Sequence, residues 1–191
     1  MKIIVGAQFT NYYGWDSLQK YELDIRDERS WARKFLPNSL DAILAEHVLE
    51  HLTFTEAAEA VRICFKYLKP NGYFRIAVPD GFHPEPNYIA WVRPVTGWNG
   101  LDHKFLFNIE NLSNLLFDAG FIVRPLEWFD RERIFHKQQW NFNDGVISRS
   151  ANTLWSKFLG MVVNAEYTSL IVDAIKPMRA LGNNQRLALK A

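Results

Sequence analysis

Two histidines and two glutamates fall within six residues, at Glu46-His47-Val48-Leu49-Glu50-His51. The H-x-x-E-H spacing is that of an inverted zinc-hydrolase signature. Imidazole nitrogens and carboxylate oxygens are zinc donors, and a continuous helix would present histidines four residues apart on one face. Thr53 and Glu56, however, have capping-box spacing, which starts the helix only after His51. No downstream Glu or His stands at a suggestive spacing for a third ligand. No residue is therefore set as a metal ligand, and a zinc hydrolase is the third of three readings. Glu50 and His51 are expected to cap or orient the turn.

Further polar groups gather in two loops, with Asp80 and His83 in "VPDGFHPEP" and Asp102 and His103 in "LDHK". Cys64 is the single cysteine, which excludes an intrachain disulfide and a cysteine-rich metal knuckle. Its apolar helical position makes it a buried, inert thiol.

The elements that must carry these groups alternate. "MKIIVG", "LDAILAE", "YFRIAVP", "FIVRPLEWF" and "TSLIVDAIK" are apolar runs of strand length, and "ELDIRD" reads as a short strand edge. "SWARKFL" is one or two helical turns. A helix follows Thr53, with Ala57, Val61, Cys64, Phe65 and Leu68 at helical intervals and "KPNG" as its stop. A second follows the cap residue Asn108, with Ile109, Leu112, Leu115 and Leu116 as its stripe and Gly120 as its left-handed exit. This alternation predicts an α/β fold, a doubly wound, mostly parallel sheet with helices on both faces. In such sheets ligands bind beyond the carboxyl ends of the strands, where "VGAQF", "AEHVLEH" and "VPDGFH" converge.

The 191 residues are 48% hydrophobic and 23% charged, an ordinary globular composition. One domain over 1–191 is expected, with irregular insertions near 81–104 and 130–166 that read as functional loops or lids. A net charge of +1 removes the electrostatic case for nucleic acid or an anionic membrane surface. No basic leader precedes an apolar stretch of signal length, so a cytoplasmic location is expected.

The segment "LDAILAEHVLEHLTFTEAAEAVRICFKYLKPNGYFRIAVPD" closely resembles the central part of class I S-adenosylmethionine-dependent methyltransferases. An acidic strand start, a "hvLEH" turn, a helix, "LKPGG" and a strand recur in that order. Weaker similarity covers about 175 residues. The "PDGFHPEP" and "DHK" elements are similar to those of a bacterial subgroup of predicted methyltransferases. The resemblance implies a Rossmann-like, seven-stranded sheet with its last strand antiparallel, and S-adenosylmethionine as cofactor. Its cofactor residues would be Gly6, Ala7, Gln8, Gln19, Asp24, Ile25, Asp27, Glu46 and His47.

Two positions depart from the family pattern. Gln8 stands where the second glycine of a G-x-G turn is usual, and Gln19 where an acidic residue would hold the ribose hydroxyls. The resemblance further implies a small-molecule acceptor, glycan-related by family association. If that acceptor is a hydroxyl, His103 is the first candidate base and Asp80 and His83 the next. Gln8 and Gln19 motivate the second reading, a non-catalytic binding or partner module that keeps the fold.

Overall fold

The computed structural model describes residues 1–7, 10–94, 102–151 and 168–178. Its frame is one seven-stranded sheet. The strands are β1 (Lys2–Val5), β2 (Asp16–Leu18), β3 (Leu40–Glu46), β4 (Leu68–Val78), β5 (Ile122–Phe129), β6 (Phe135–Lys137) and β7 (Leu170–Ile175), in the order β2-β1-β3-β4-β7-β5-β6. β1 to β4 pair in parallel, and β7 lies antiparallel between β4 and β5. β6 adds an antiparallel edge to β5. Thus β1 to β5 share a direction and β6 and β7 oppose it, as expected for a mostly parallel Rossmann-like sheet with a reversed last strand.

Helices α1 (Glu28–Ala32), α2 (Phe54–Tyr67) and α4 (Ile109–Ala119) contribute to the larger apolar cluster on one face of the sheet. There Trp31, Val61, Cys64, Leu112 and Leu116 meet Ile3, Ile43, Phe74 and Val172. α2 begins with a complete capping box: the Thr53 hydroxyl accepts the Glu56 N–H, and the Glu56 carboxylate accepts the Thr53 N–H. α4 is capped by Asn108 and leaves through Gly120 at φ +103°. Burial pushes the Cys64 thiol pKa up, which leaves it unreactive.

The second face carries Ile4, Ala42, Leu44, Ala77, Leu126 and Ile171. Among the described residues its cover is mostly irregular chain from the 130–166 insertion: Ile147 and Trp140 pack there beside Trp15 and Tyr12. Gly145 passes so close that a β-carbon on it would lie 2.8 Å from Leu44 and 3.1 Å from Trp15. Among the described residues no helix is long and apolar enough to cross a membrane.

Three sequence expectations need correction. Leu68 and "KPNG" belong to β4 and not to the end of the helix, because α2 stops at Tyr67 and Leu68 already pairs with Leu40 of β3. "ELDIRD" is not a strand, since its polar groups bond locally. The Asp24 carboxylate accepts the Arg26 N–H, and the Asp24 carbonyl accepts the Ser30 hydroxyl and the Trp31 indole N–H. The strand of this region is β2, which pairs with β1. The loop over 81–104 holds helix α3 (Pro86–Val92), started by Glu85 as N-cap with proline at its first position.

Candidate functional site

Because β1 to β4 run the same way, their carboxyl ends share one edge of the sheet. Gly6 turns out of β1 at φ +62°, a left-handed conformation that a glycine adopts without strain. A β-carbon there would stand 2.9 Å from the Val48 Cγ2, so the turn after β1 touches the turn after β3. Ala7 is buried and donates its N–H to the Leu18 carbonyl at the end of β2. Gln8 lies outside the described residues.

At the end of β2, Gln19 opens a tight turn. Its carbonyl accepts the N–H groups of Glu22 and Leu23. Its own N–H donates to the Glu22 carboxylate at 2.8 Å. An acidic group therefore stands beside Gln19 after all, supplied from three positions along the chain. Sequence reasoning passed over Glu22; the turn spacing in "QKYE" was the only signal.

Asp24 is gripped by the Arg26 guanidinium at 2.8 and 3.0 Å, which holds its carboxyl below the usual aspartate range. Arg26 also reaches Glu56 at 2.9 Å. Ile25 is buried in the main core. Asp27 is exposed and caps α1 by accepting the Arg29 N–H. Asp24 and Asp27 line an open cavity of about 770 Å³ with Arg26, Thr55, Glu59 and Arg62.

The turn after β3 is more heavily bonded. The Glu46 carboxylate accepts the Ser148 hydroxyl and the Arg149 N–H at 3.2 and 3.0 Å. His47 sits at φ +54°, an unfavourable conformation for a branched or bulky side chain that persists only where its surroundings fix it. Here the fixing contacts are its N–H to the Ala77 carbonyl, Nε2 at 3.0 Å from the Ser169 hydroxyl and Nδ1 at 2.8 Å from the Glu50 carboxylate. Arg149 and Ser169 come from irregular or distant chain, and no motif marked them.

The edge thus brings together Gly6, Ala7, Gln19, Glu46 and His47. The three base candidates separate. Asp80 is fully buried and its two carboxylate oxygens accept the N–H groups of Phe82 and Phe129. Burial raises its pKa to about 6, against the lowering effect of those two bonds. His83 is buried between Tyr88 and Phe129, with ring centroids 4.1 and 4.8 Å away, and its Nδ1 accepts the Glu85 N–H. Both knit the end of β4 to β5 and α3. His103 is half-buried; its Nδ1 donates to the Val92 carbonyl at 2.7 Å, and its ring meets that of His51 edge-on at 5.0 Å.

A family model described as a methyltransferase domain matches residues 2–126. No curated protein matches the sequence significantly. Among solved structures, a SAM-dependent methyltransferase of Archaeoglobus fulgidus is 14% identical with a TM-score of 0.51, over 91% of this chain and 84% of its own. A SAM-dependent methyltransferase of Thermotoga maritima is 13% identical with a TM-score of 0.53, over 92% and 81%. The CurJ carbon methyltransferase is 14% identical with a TM-score of 0.51, over 92% of this chain, which spans 48% of that longer one. At such identities the likeness speaks to the fold.

Proposed function

Because the chain belongs to the methyltransferase-domain family, we propose that it transfers a methyl group from S-adenosylmethionine to a small-molecule acceptor, with a glycan-related hydroxyl as the favoured class. The observation that carries this reading is the left-handed turn at Gly6, set against the turn after β3 at the carboxyl edge of four parallel strands. Turns at the carboxyl edge of parallel strands are where open α/β sheets bind their ligands.

The residues present fit that cofactor. Gly6 and Ala7 would border its methionine end, with Gln8 next to them in the sequence. Gln19 and Glu22 offer an amide and a carboxylate for two ribose hydroxyls, a stronger pair than Gln19 alone. Asp24 would stand on the adenine side with Ile25 buried behind it, while Asp27 caps α1. Glu46 and His47 would border the reacting end. When bound, the cofactor supplies an electrophilic methyl on a sulfonium centre. The protein's part is to hold the acceptor in line with that methyl and to exclude water.

Activation of an acceptor hydroxyl falls to the corner of His103, which keeps one imidazole nitrogen clear of its bond to Val92. Asp80 and His83 support that corner through α3 and act as positioning residues. A single specific feature favours the second reading, a binding module without catalysis: the Glu46 carboxylate is already held by Ser148 and Arg149.

Calorimetry with S-adenosylmethionine and S-adenosylhomocysteine separates the two. Saturable one-to-one binding of both is expected. No binding at millimolar cofactor overturns the enzyme reading. Acquisition of binding only after Gln8→Gly with Gln19→Asp would establish the module.

A further inference from the structure

Among the described residues, Glu50, His51 and His103 form a cluster in which one ligating atom from each lies within 4.8 Å of the other two. We propose that this cluster is a site for a divalent transition metal of the zinc class. The pattern H-x-x-E-H suggested zinc through His47 and His51, and the late start of α2 denied the helix that would join them. The fold offers a different set, because His103 arrives from 52 positions along the chain.

How it arrives is visible in the backbone. The residues Leu49–His51 form a single 3-10 turn. The Glu50 carbonyl at its centre accepts the N–H groups of Lys104 and Phe105 at 2.7 and 3.2 Å. These two bonds strap the "DHKF" segment to the turn and bring His103 beside His51.

The donor chemistry is set by what each side chain already touches. His51 Nδ1 lies 3.0 Å from the Asp102 carbonyl, and His103 Nδ1 lies 2.7 Å from the Val92 carbonyl. A carbonyl oxygen only accepts, so both rings carry their proton on Nδ1 and keep a lone pair on Nε2. That is the tautomer and the outer bonding that metal-ligating histidines use.

Glu50 adds the independent observation. Its side chain is 1% exposed, and neither carboxylate oxygen receives a hydrogen bond. His47 Nδ1 comes within 2.8 Å of one oxygen, at ion-pair distance but off the hydrogen-bonding direction. A buried carboxylate without a hydrogen bond is costly, and a bound cation would remove that cost.

Two imidazoles and one carboxylate suit zinc, cobalt or nickel rather than magnesium or calcium, which prefer oxygen donors alone. A tetrahedral site with bonds of about 2.1 Å has ligand-to-ligand edges of about 3.4 Å, so closure requires the three donors to draw nearer than the 4.8 Å within which one ligating atom of each now lies. Three protein donors leave a position open for water or an acceptor oxygen. As a ligand, His103 would hold the ion instead of taking a proton itself.

The test uses the untagged full chain without cofactor. Dialysis against zinc and elemental analysis should give about one equivalent per chain, unaffected by millimolar magnesium, and cobalt should give the intense visible absorption of a tetrahedral site. His51→Gln, His103→Gln and Glu50→Gln should each weaken zinc binding by more than about tenfold, since loss of even an outer partner costs that much. His136→Gln, whose ring pairs with Asp130 outside the cluster, should bind as the parent does. Substoichiometric zinc in the parent chain, or full binding in the two histidine variants, overturns the proposal. Metal binding without cofactor binding would leave this site standing and remove the methyl-transfer reading; the reverse outcome removes only the site.

Discussion

Asp80 stands in a motif of catalytic appearance, yet its carboxylate has no solvent and two backbone donors. Burial lifts its pKa from 3.8 to about 6, so the folded chain binds this proton more tightly than the unfolded chain does. Between those two values the native state holds more protons, and the contribution of Asp80 to stability falls as pH rises. It is fully present below 3.8 and lost above about 6. Such a rise corresponds to roughly 3 kcal/mol. Asp80→Asn loses one acceptor at every pH, so that constant cost cancels when two pH values are compared. The stability of the variant relative to the parent, from urea unfolding, should improve by about this amount between pH 3.5 and pH 7. An unchanged difference would mean that Asp80 titrates alike in the folded and unfolded chain, so that burial does not hold its proton. The sequence marked Asp80, His83 and His103 by type and by loop. Their separate fates were illegible in it, because the deciding partners lie far along the chain: Phe129 for Asp80, Val92 for His103.

The starts of elements with local signals were legible to the residue. β3 is the run "LDAILAE", and α2 and α4 begin at the cap residues that their spacing marks. A cap works through bonds within one turn, so its sequence contains its explanation. Thr53→Ala removes the acceptor for the Glu56 N–H and half of the capping box. A loss of about 1 kcal/mol in unfolding free energy is expected, and Thr53→Ser should restore most of it. A variant as stable as the parent would show that packing of α2 alone sets its first turn. Elements defined by distant partners were harder to read. β2 has only three residues and is made a strand by pairing with β1. "ELDIRD" has a strand-like pattern and no strand to pair with.

At the scale of the molecule, the unread part is the cover of the second sheet face, and two buried charges explain why. An amphipathic helix would have announced itself by its period. Among the described residues the cover is irregular chain tied down by hydrogen bonds to groups rising from the sheet. Glu127, fully buried on β5, accepts from the Ser150 hydroxyl, the Ala151 N–H, the Thr168 hydroxyl and the Trp140 indole. Arg75, fully buried on β4, donates to the Gly145 carbonyl and lies under the Trp140 ring at 4.8 Å. Arg75 also forms a two-pronged pair with Asp173 at 2.7 and 2.9 Å, and Asp173 takes Arg124 from the other side. Asp173 is the register partner of Arg75 on β4 and of Arg124 on β5. One carboxylate therefore spans three strands at the point where strand direction reverses. A slip of one residue would turn these charges into the apolar face packed against α2 and α4, so the triad also fixes register. Asp173→Asn leaves the Arg75 guanidinium buried without its counter-charge, and a loss of about 3–5 kcal/mol is expected by chemical denaturation. The double replacement Arg75→Met with Asp173→Leu removes both charges and should recover most of that loss. If the single variant costs no more than the double one, the triad is a passenger and the aromatic cover alone holds the reversed strand in place.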